Sequence, residues 1–160
     1  VVNIHAREYP VSAERLGALL DGLGSPGDQL WPGHRWPALR FDGPLRTGAK
    51  GGHGPIRYTV EAYEPGRSLR CRFTGPAGFI GWHGFDIEPV GADRSILRHT
   101  VRAELRQWMR LQWPLAIRWL HDACVEDALD CAARAFGEAL PDRPFTPAVR
   151  LLRRLKRRSR

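Results

Sequence analysis

The sequence predicts an α+β domain in which an antiparallel sheet is covered by one long C-terminal helix. Two observations carry this. Segments with a two-residue apolar period fill most of residues 39 to 105, and an amphipathic segment with the helical period runs from Pro114 to Leu140. A strand and a short helix precede both. At 160 residues the chain has room for one domain with a sizeable core.

Taken in order, VVNIHAREY alternates, with Val2, Ile4 and Ala6 on one side and Asn3, His5 and Arg7 on the other, which predicts a half-buried first strand. Pro10 ends it. VSAERLGALLDGL then places Leu16, Leu19, Leu20 and Leu23 at helical spacing behind a cap at Ser12, and Gly24 closes the helix. Residues 24 to 37 carry three prolines and two tryptophans and predict a loop or broken helical turn. Strands are expected at 39–46, 55–63 and 68–74. The middle ones turn Ile56, Tyr58, Val60, Ala62, Leu69, Cys71 and Phe73 inward and keep Arg57, Thr59, Glu61, Arg70 and Arg72 outside. GAKGGHGP, residues 48 to 55, lacks the phosphate-cradling pattern and reads as a flexible connection containing His53.

GWHGFDIEPVGADRSILRHTV, residues 81 to 101, reads as a hairpin turning between Pro89 and Arg94. Antiparallel pairing then sets Phe85 opposite His99 and His83 opposite Val101. Both histidines share a face with Phe85, Ile87, Leu97, Val101 and Ala103, with side-chain origins roughly 7 Å apart. Trp82 has outward parity, which predicts a covering loop or partner there. In the long helix, Ile117, Leu120, Cys124, Ala128, Cys131 and Ala135 form the stripe expected against the sheet. The domain is expected to span 1–140, and residues 141–160 to form a Pro-containing linker and a basic amphipathic tail.

Composition narrows the function classes. Cys71, Cys124 and Cys131 are an odd set without CxxC spacing, which excludes a disulfide framework and points to a reducing cytoplasm. No apolar run is long enough to span a membrane. Of 25 Lys/Arg and 17 Asp/Glu, 8 and 1 lie from Asp142 onward, leaving 17 and 16 before it. The body is nearly neutral and the tail strongly basic, which argues against a nucleic-acid groove and for weak contact of residues 143 to 160 with anionic membranes.

The element order, the stretch GGHGPIRYTVEAYEPGRSLRCRF and the helix WLHDACVEDALD resemble the START-like or SRPBCC superfamily, in particular bacterial members, over roughly residues 1 to 138. The superfamily includes polyketide cyclases and dehydrases and lipid-transfer domains. The resemblance implies a helix-grip fold, in which a curved sheet wraps the long helix and encloses a cavity for an apolar ligand. One scaffold hosts carriers, receptors and enzymes, so fold is implied more strongly than activity.

Within such a cavity His83 and His99 are the residues able to bracket a ligand by hydrogen bonds, or to act on a carbonyl as general acid and base. The bland alternative is a pair of neutral core histidines. His121, close to the Ile117 and Cys124 stripe, is expected either to complete the polar cluster from the helix side or to pair with Asp122. Tyr58 either orients a ligand oxygen or fills core volume. The expected ligand-binding set is Tyr58, Phe73, His83, Phe85, His99, Ile117 and His121. No metal spacing occurs, and no cofactor is implied. The expected function is binding of a small hydrophobic or aromatic molecule; the alternative is a cofactor-independent enzyme of the polyketide cyclase/dehydratase type with His83 and His99 as acid and base.

Overall fold

A computed structural model describes residues 1–158, with side chains through Leu155. The fold is the expected α+β helix grip: among the described residues, seven antiparallel strands form a curved sheet, with a long helix near the C-terminus. The strands are β1 (Val2–Tyr9), β2 (Arg40–Phe41), β3 (Lys50–His53), β4 (Ile56–Glu64), β5 (Ser68–Gly75), β6 (Phe79–Pro89) and β7 (Ser95–Leu105), in the sheet order β1-β7-β6-β5-β4-β3-β2. The helices are α1 (Ala13–Asp21), α2 (Met109–Gln112), α3 (Arg118–Ala135) and α4 (Pro147–Arg158), with a π-helical turn at Trp113–Ile117 between α2 and α3. No helix among the described residues is long and apolar enough to cross a membrane.

The hairpin adopts the expected register, with Phe85 opposite His99 and His83 opposite Val101. Apolar residues with a two-residue period bury one face of β5 to β7 and of β4 as far as Val60, and Tyr58, Val60, Cys71, Leu97 and Val101 are almost fully enclosed. A bulge between Val60 and Ala62 then leaves Ala62, expected inward, exposed and turns Tyr63 to the core in its place. Ser12 caps α1 as expected, its hydroxyl accepting from the Arg15 amide.

Three further elements differ from the expectation. β3 forms where a flexible connection was expected. Gly51 can pair with Tyr58 there because a Cβ at Gly51 would stand 2.6 Å from the Phe41 ring and 2.9 Å from that of Tyr58, a space only glycine leaves open. The strand expected over 39–46 shortens to Arg40–Phe41. The long helix is α3 alone, broken at its start by the π turn and ended by Gly137 with φ +95°.

The apolar side of β1 faces solvent, with Val2 63 % and Ile4 52 % exposed, while Asn3, His5 and Arg7 face the interior side. The reason is α3, which lays acidic residues along this edge strand. Arg7 donates to Asp130 at 2.6 Å and to Glu126 at 2.9 Å, and the Tyr9 hydroxyl donates to the Leu129 carbonyl at 2.8 Å. The buried face of α3 is accordingly broader than one apolar stripe and includes Asp127 and Asp130.

The segment after α3 lies on the body. Arg143 donates to both oxygens of Asp130, at 2.7 and 3.0 Å, and Val149 is buried. Arg35 donates to Asp127 and to the Arg143 carbonyl, and its guanidinium stacks 3.9 Å from the Phe145 ring. Ser159, Arg160 and the side chains of Lys156, Arg157 and Arg158, which carry part of the expected tail charge, lie outside the described residues.

Candidate functional site

The packed interior divides into two apolar clusters. The larger includes Tyr9, Leu20, Tyr58, Cys71, Phe85, Leu97 and Leu129; the smaller comprises Phe79, Val101, Ala103, Met109 and Trp113, with Phe73 and Ile117 against it. The histidines link the two. His99 lies 4.8 Å from the Phe85 ring of the larger cluster. His83 stacks 4.8 Å from Phe73, and His121 lies 5.8 Å from Trp113, both on the smaller one.

The register brings the rings together as follows. β6 and β7 place His83 and His99 on one face of the sheet, diagonally adjacent, with ring centroids 5.8 Å apart. α3 brings His121 down from the opposite side to 5.2 Å from His99. On β4, Tyr58 reaches to 4.7 Å from His83. His53, on β3, extends the row, 6.2 Å from Tyr58 and 4.7 Å from Trp31.

Four polar atoms in this group are buried without a hydrogen-bond partner: Tyr58 Oη, His83 Nε2, His99 Nδ1 and His121 Nε2. Leaving each such atom unsatisfied costs about 1–3 kcal/mol, so the cluster is an expensive way to fill a core. Burial, with smaller repulsion from neighbouring imidazoles, holds His83 down to about 3 and keeps His99 well below the ordinary histidine value. His121 is lowered as well, again by burial, against the opposing pull of Asp122. Burial also raises the Tyr58 hydroxyl and pushes the Cys71 thiol up to about 12. Neutral rings in an apolar setting can each offer one donor and one acceptor to a guest.

Beside the histidines lies a second polar group that the sequence spacing did not reveal. Asp122 Oδ1 faces Asn3 Nδ2 at 3.0 Å, His5 Nε2 at 3.2 Å and His121 Nδ1 at 3.3 Å. His5 Nδ1 in turn faces Glu126 at 2.8 Å. Burial would raise Asp122, but hydrogen bonds from His121, His5 and Asn3 outweigh it and hold the carboxyl at about 2. His5, His121 and Asp122 present ligand atoms within 4.8 Å of one another, so a third metal-type ligand exists in space where none was legible in sequence. These atoms engage one another, and hydrogen bonding accounts for the arrangement. The contact with Asp122 also orients His121, whose Nδ1 proton directed at the carboxylate leaves Nε2 as the bare acceptor.

Of the expected ligand-binding set, Tyr58, Phe73, His83, Phe85, His99 and His121 are joined by this network of ring contacts, and Ile117 packs on the smaller cluster. Phe73, His83, Ile117 and His121 retain accessible surface, whereas their inward neighbours Tyr58, Cys71 and Val101 are only 1 % exposed. An open groove of about 550 Å³ lies elsewhere, between α1 and the β4–β5 turn, lined by Ala18, Asp21, Gly66, Arg67 and Ile87. The expected site residues do not line it. Trp82 points outward as expected and is covered by the Arg70 guanidinium, 4.4 Å from its ring.

No protein-family model matches the chain, and no curated protein matches it in sequence. Solved structures do match in three dimensions. Norcoclaurine synthase from Thalictrum flavum, solved with dopamine and hydroxybenzaldehyde, superposes with TM-score 0.66 at 14 % identity over 88 % of each chain. CalU16 from Micromonospora echinospora gives 0.60 at 15 % identity, covering 99 % of this chain and 84 % of its own. A Thermobifida fusca protein solved in solution gives 0.62 at 14 %, covering 91 % and 99 %. These similarities establish the shared helix-grip fold.

Proposed function

We propose that the protein binds a small hydrophobic or aromatic molecule between the sheet and α3, held by Tyr58, His83, His99 and His121 and packed against Phe73, Phe85 and Ile117. The observation that carries this reading is the set of four unpartnered polar atoms on neighbouring rings, packed among Phe73, Phe85 and Trp113. A guest with one or two oxygens or nitrogens on an apolar frame would satisfy them, entering where Phe73, His83 and Ile117 retain accessible surface. The norcoclaurine synthase of the same fold was solved with two small aromatic compounds, which supports the ligand class.

Depressed basicity favours binding over proton transfer at His83 and His99, since a ring held at about 3, as His83 is, makes a weak base at neutral pH. A second reading, an enzyme of the cyclase/dehydratase type, is favoured by one observation: Asp122 holds His121 with Nε2 bare and directed inward, the arrangement a general base requires. Mass spectrometry of small molecules released from the purified protein tests the binding reading. An apolar compound carrying a hydrogen-bonding group, lost from the His83→Phe/His99→Phe variant, is the expected result; identical contents in both proteins would refute it.

We also retain the tail as a weak contact for anionic membranes, supported by the exposure of Leu151 and Leu155 among arginines on α4.

A further inference from the structure

The segment from Gln107 to Leu120 has two apolar faces, one buried and one exposed. Its inner face, Met109 and Trp113 with Ile117, closes the smaller apolar cluster over Phe79. Its outer face is apolar as well: Trp108 is 74 % exposed, Leu111 54 %, Leu115 70 % and Trp119 50 %. Spacings of three, four and four residues set these side chains along one helical stripe. Gln107, in the left-handed region at φ 50°, turns the chain out of β7 into this segment.

Exposed large apolar side chains in a contiguous stripe mark an interaction surface. The charge around the stripe indicates the partner. Arg106, Arg110 and Arg118 lie beside or within the segment in sequence, Arg110 donating to the Leu105 carbonyl, and no acidic residue occurs between Leu105 and His121. Arg106 pairs with the preceding Glu104, and Arg118 approaches Asp122 at 3.5 Å, yet both remain largely exposed. Tryptophans at both ends of the stripe suit the boundary between headgroups and acyl chains, where an indole buries its ring and keeps its N–H near polar groups. A second copy of the chain fits less well, because a two-fold contact over this face would gather both copies' three arginines into one interface.

We propose that the face formed by Trp108, Leu111, Leu115 and Trp119 docks on an anionic lipid surface, with Arg106, Arg110 and Arg118 meeting the headgroups. This contact is separate from the one proposed for the tail and does not rest on the ligand reading.

Flotation of the full chain with phosphatidylserine–phosphatidylcholine vesicles, compared with pure phosphatidylcholine, tests it. The four residues are exposed, so Trp108→Ser/Leu115→Ser should keep the wild-type unfolding transition. Its binding to the anionic vesicles should fall roughly tenfold or more, and quenching of tryptophan emission by brominated lipid should fall with it. Unchanged binding in this variant, together with loss in Leu151→Ser/Leu155→Ser, would assign the membrane contact to the tail and overturn the proposal. Absence of wild-type binding to anionic vesicles would overturn it too, as would a concentration-dependent dimer that the Trp108→Ser/Leu115→Ser change abolishes without affecting flotation.

Discussion

His99 and His121 meet across the interface between sheet and helix with ring centroids 5.2 Å apart, one carried by β7 and the other by α3. Each keeps one buried nitrogen without a partner, Nδ1 on His99 and Nε2 on His121. Two elements distant in sequence thus contribute unpartnered polar atoms to one apolar interior, which makes the cluster sensitive to substitutions that leave the fold intact.

His83→Phe and His99→Phe should fold with stability near wild type, because each removes an unsatisfied buried nitrogen and adds apolar surface. Denaturant midpoints should stay within about 1 kcal/mol of wild type, with overpacking setting the lower bound. A loss of several kcal/mol would show that the rings make hydrogen bonds the core depends on.

Acid should destabilise the fold in two windows. His83 is held at about 3 and His99 and His121 are also lowered, chiefly by burial, against an ordinary value of 6.5. Above that value neither folded nor unfolded chain binds the protons. Below it the unfolded chain takes up protons that the folded rings refuse, so stability falls by about 1.4 kcal/mol per pH unit for each ring that stays neutral. The Asp122 contribution disappears later, between its ordinary 3.8 and about 2. Urea unfolding at about pH 7 and about pH 5 should separate wild type from His83→Phe/His99→Phe, whose slope is shallower. Equal slopes would show that these histidines are not neutral and buried.

Arg143→Ala should cost about 1–3 kcal/mol, because it removes two donors from the buried Asp130 and leaves Arg7 alone to balance it. Arg143→Lys should recover only part of the loss, since an ammonium cannot span both carboxylate oxygens in one plane. A neutral result for Arg143→Ala in thermal unfolding would show that the Arg143–Asp130 pair contributes nothing to stability.

Leu129→Asp should unfold the protein, whereas Leu120→Asp should be milder. Leu129 is 1 % exposed within the main core, and Leu120, although on the expected stripe, is only partly buried. The new charge at Leu129 would be enclosed without a donor. Circular dichroism of the two variants orders them directly, and greater damage from Leu120→Asp would contradict the packing of α3.

The sheet was legible where one apolar and one polar face alternate, as in β5 to β7 and in β4 up to the bulge that exposes Ala62, and the hairpin register followed from its short turn. Over β1 the same rule misleads. Asn3, His5 and Arg7 turn inward because Asp122, Glu126 and Asp130 await them on α3, and residues so far apart in sequence cannot be paired by periodicity. β3 escaped notice because glycine carries no alternation, although the close approach of Phe41 and Tyr58 requires it at Gly51. Two members of the histidine cluster were legible in the hairpin; the position of His121 depended on where α3 crosses the sheet.

The most direct test of the ligand reading is the imidazole 15N spectrum of the histidines as hydroxybenzaldehyde is titrated into the protein. Binding against the four bare polar atoms should shift His83, His99 and His121 together and leave the exposed His34, which lies beside Asp142, unmoved. Saturable binding of the aldehyde with all three of those resonances unchanged would place the guest elsewhere and contradict the account.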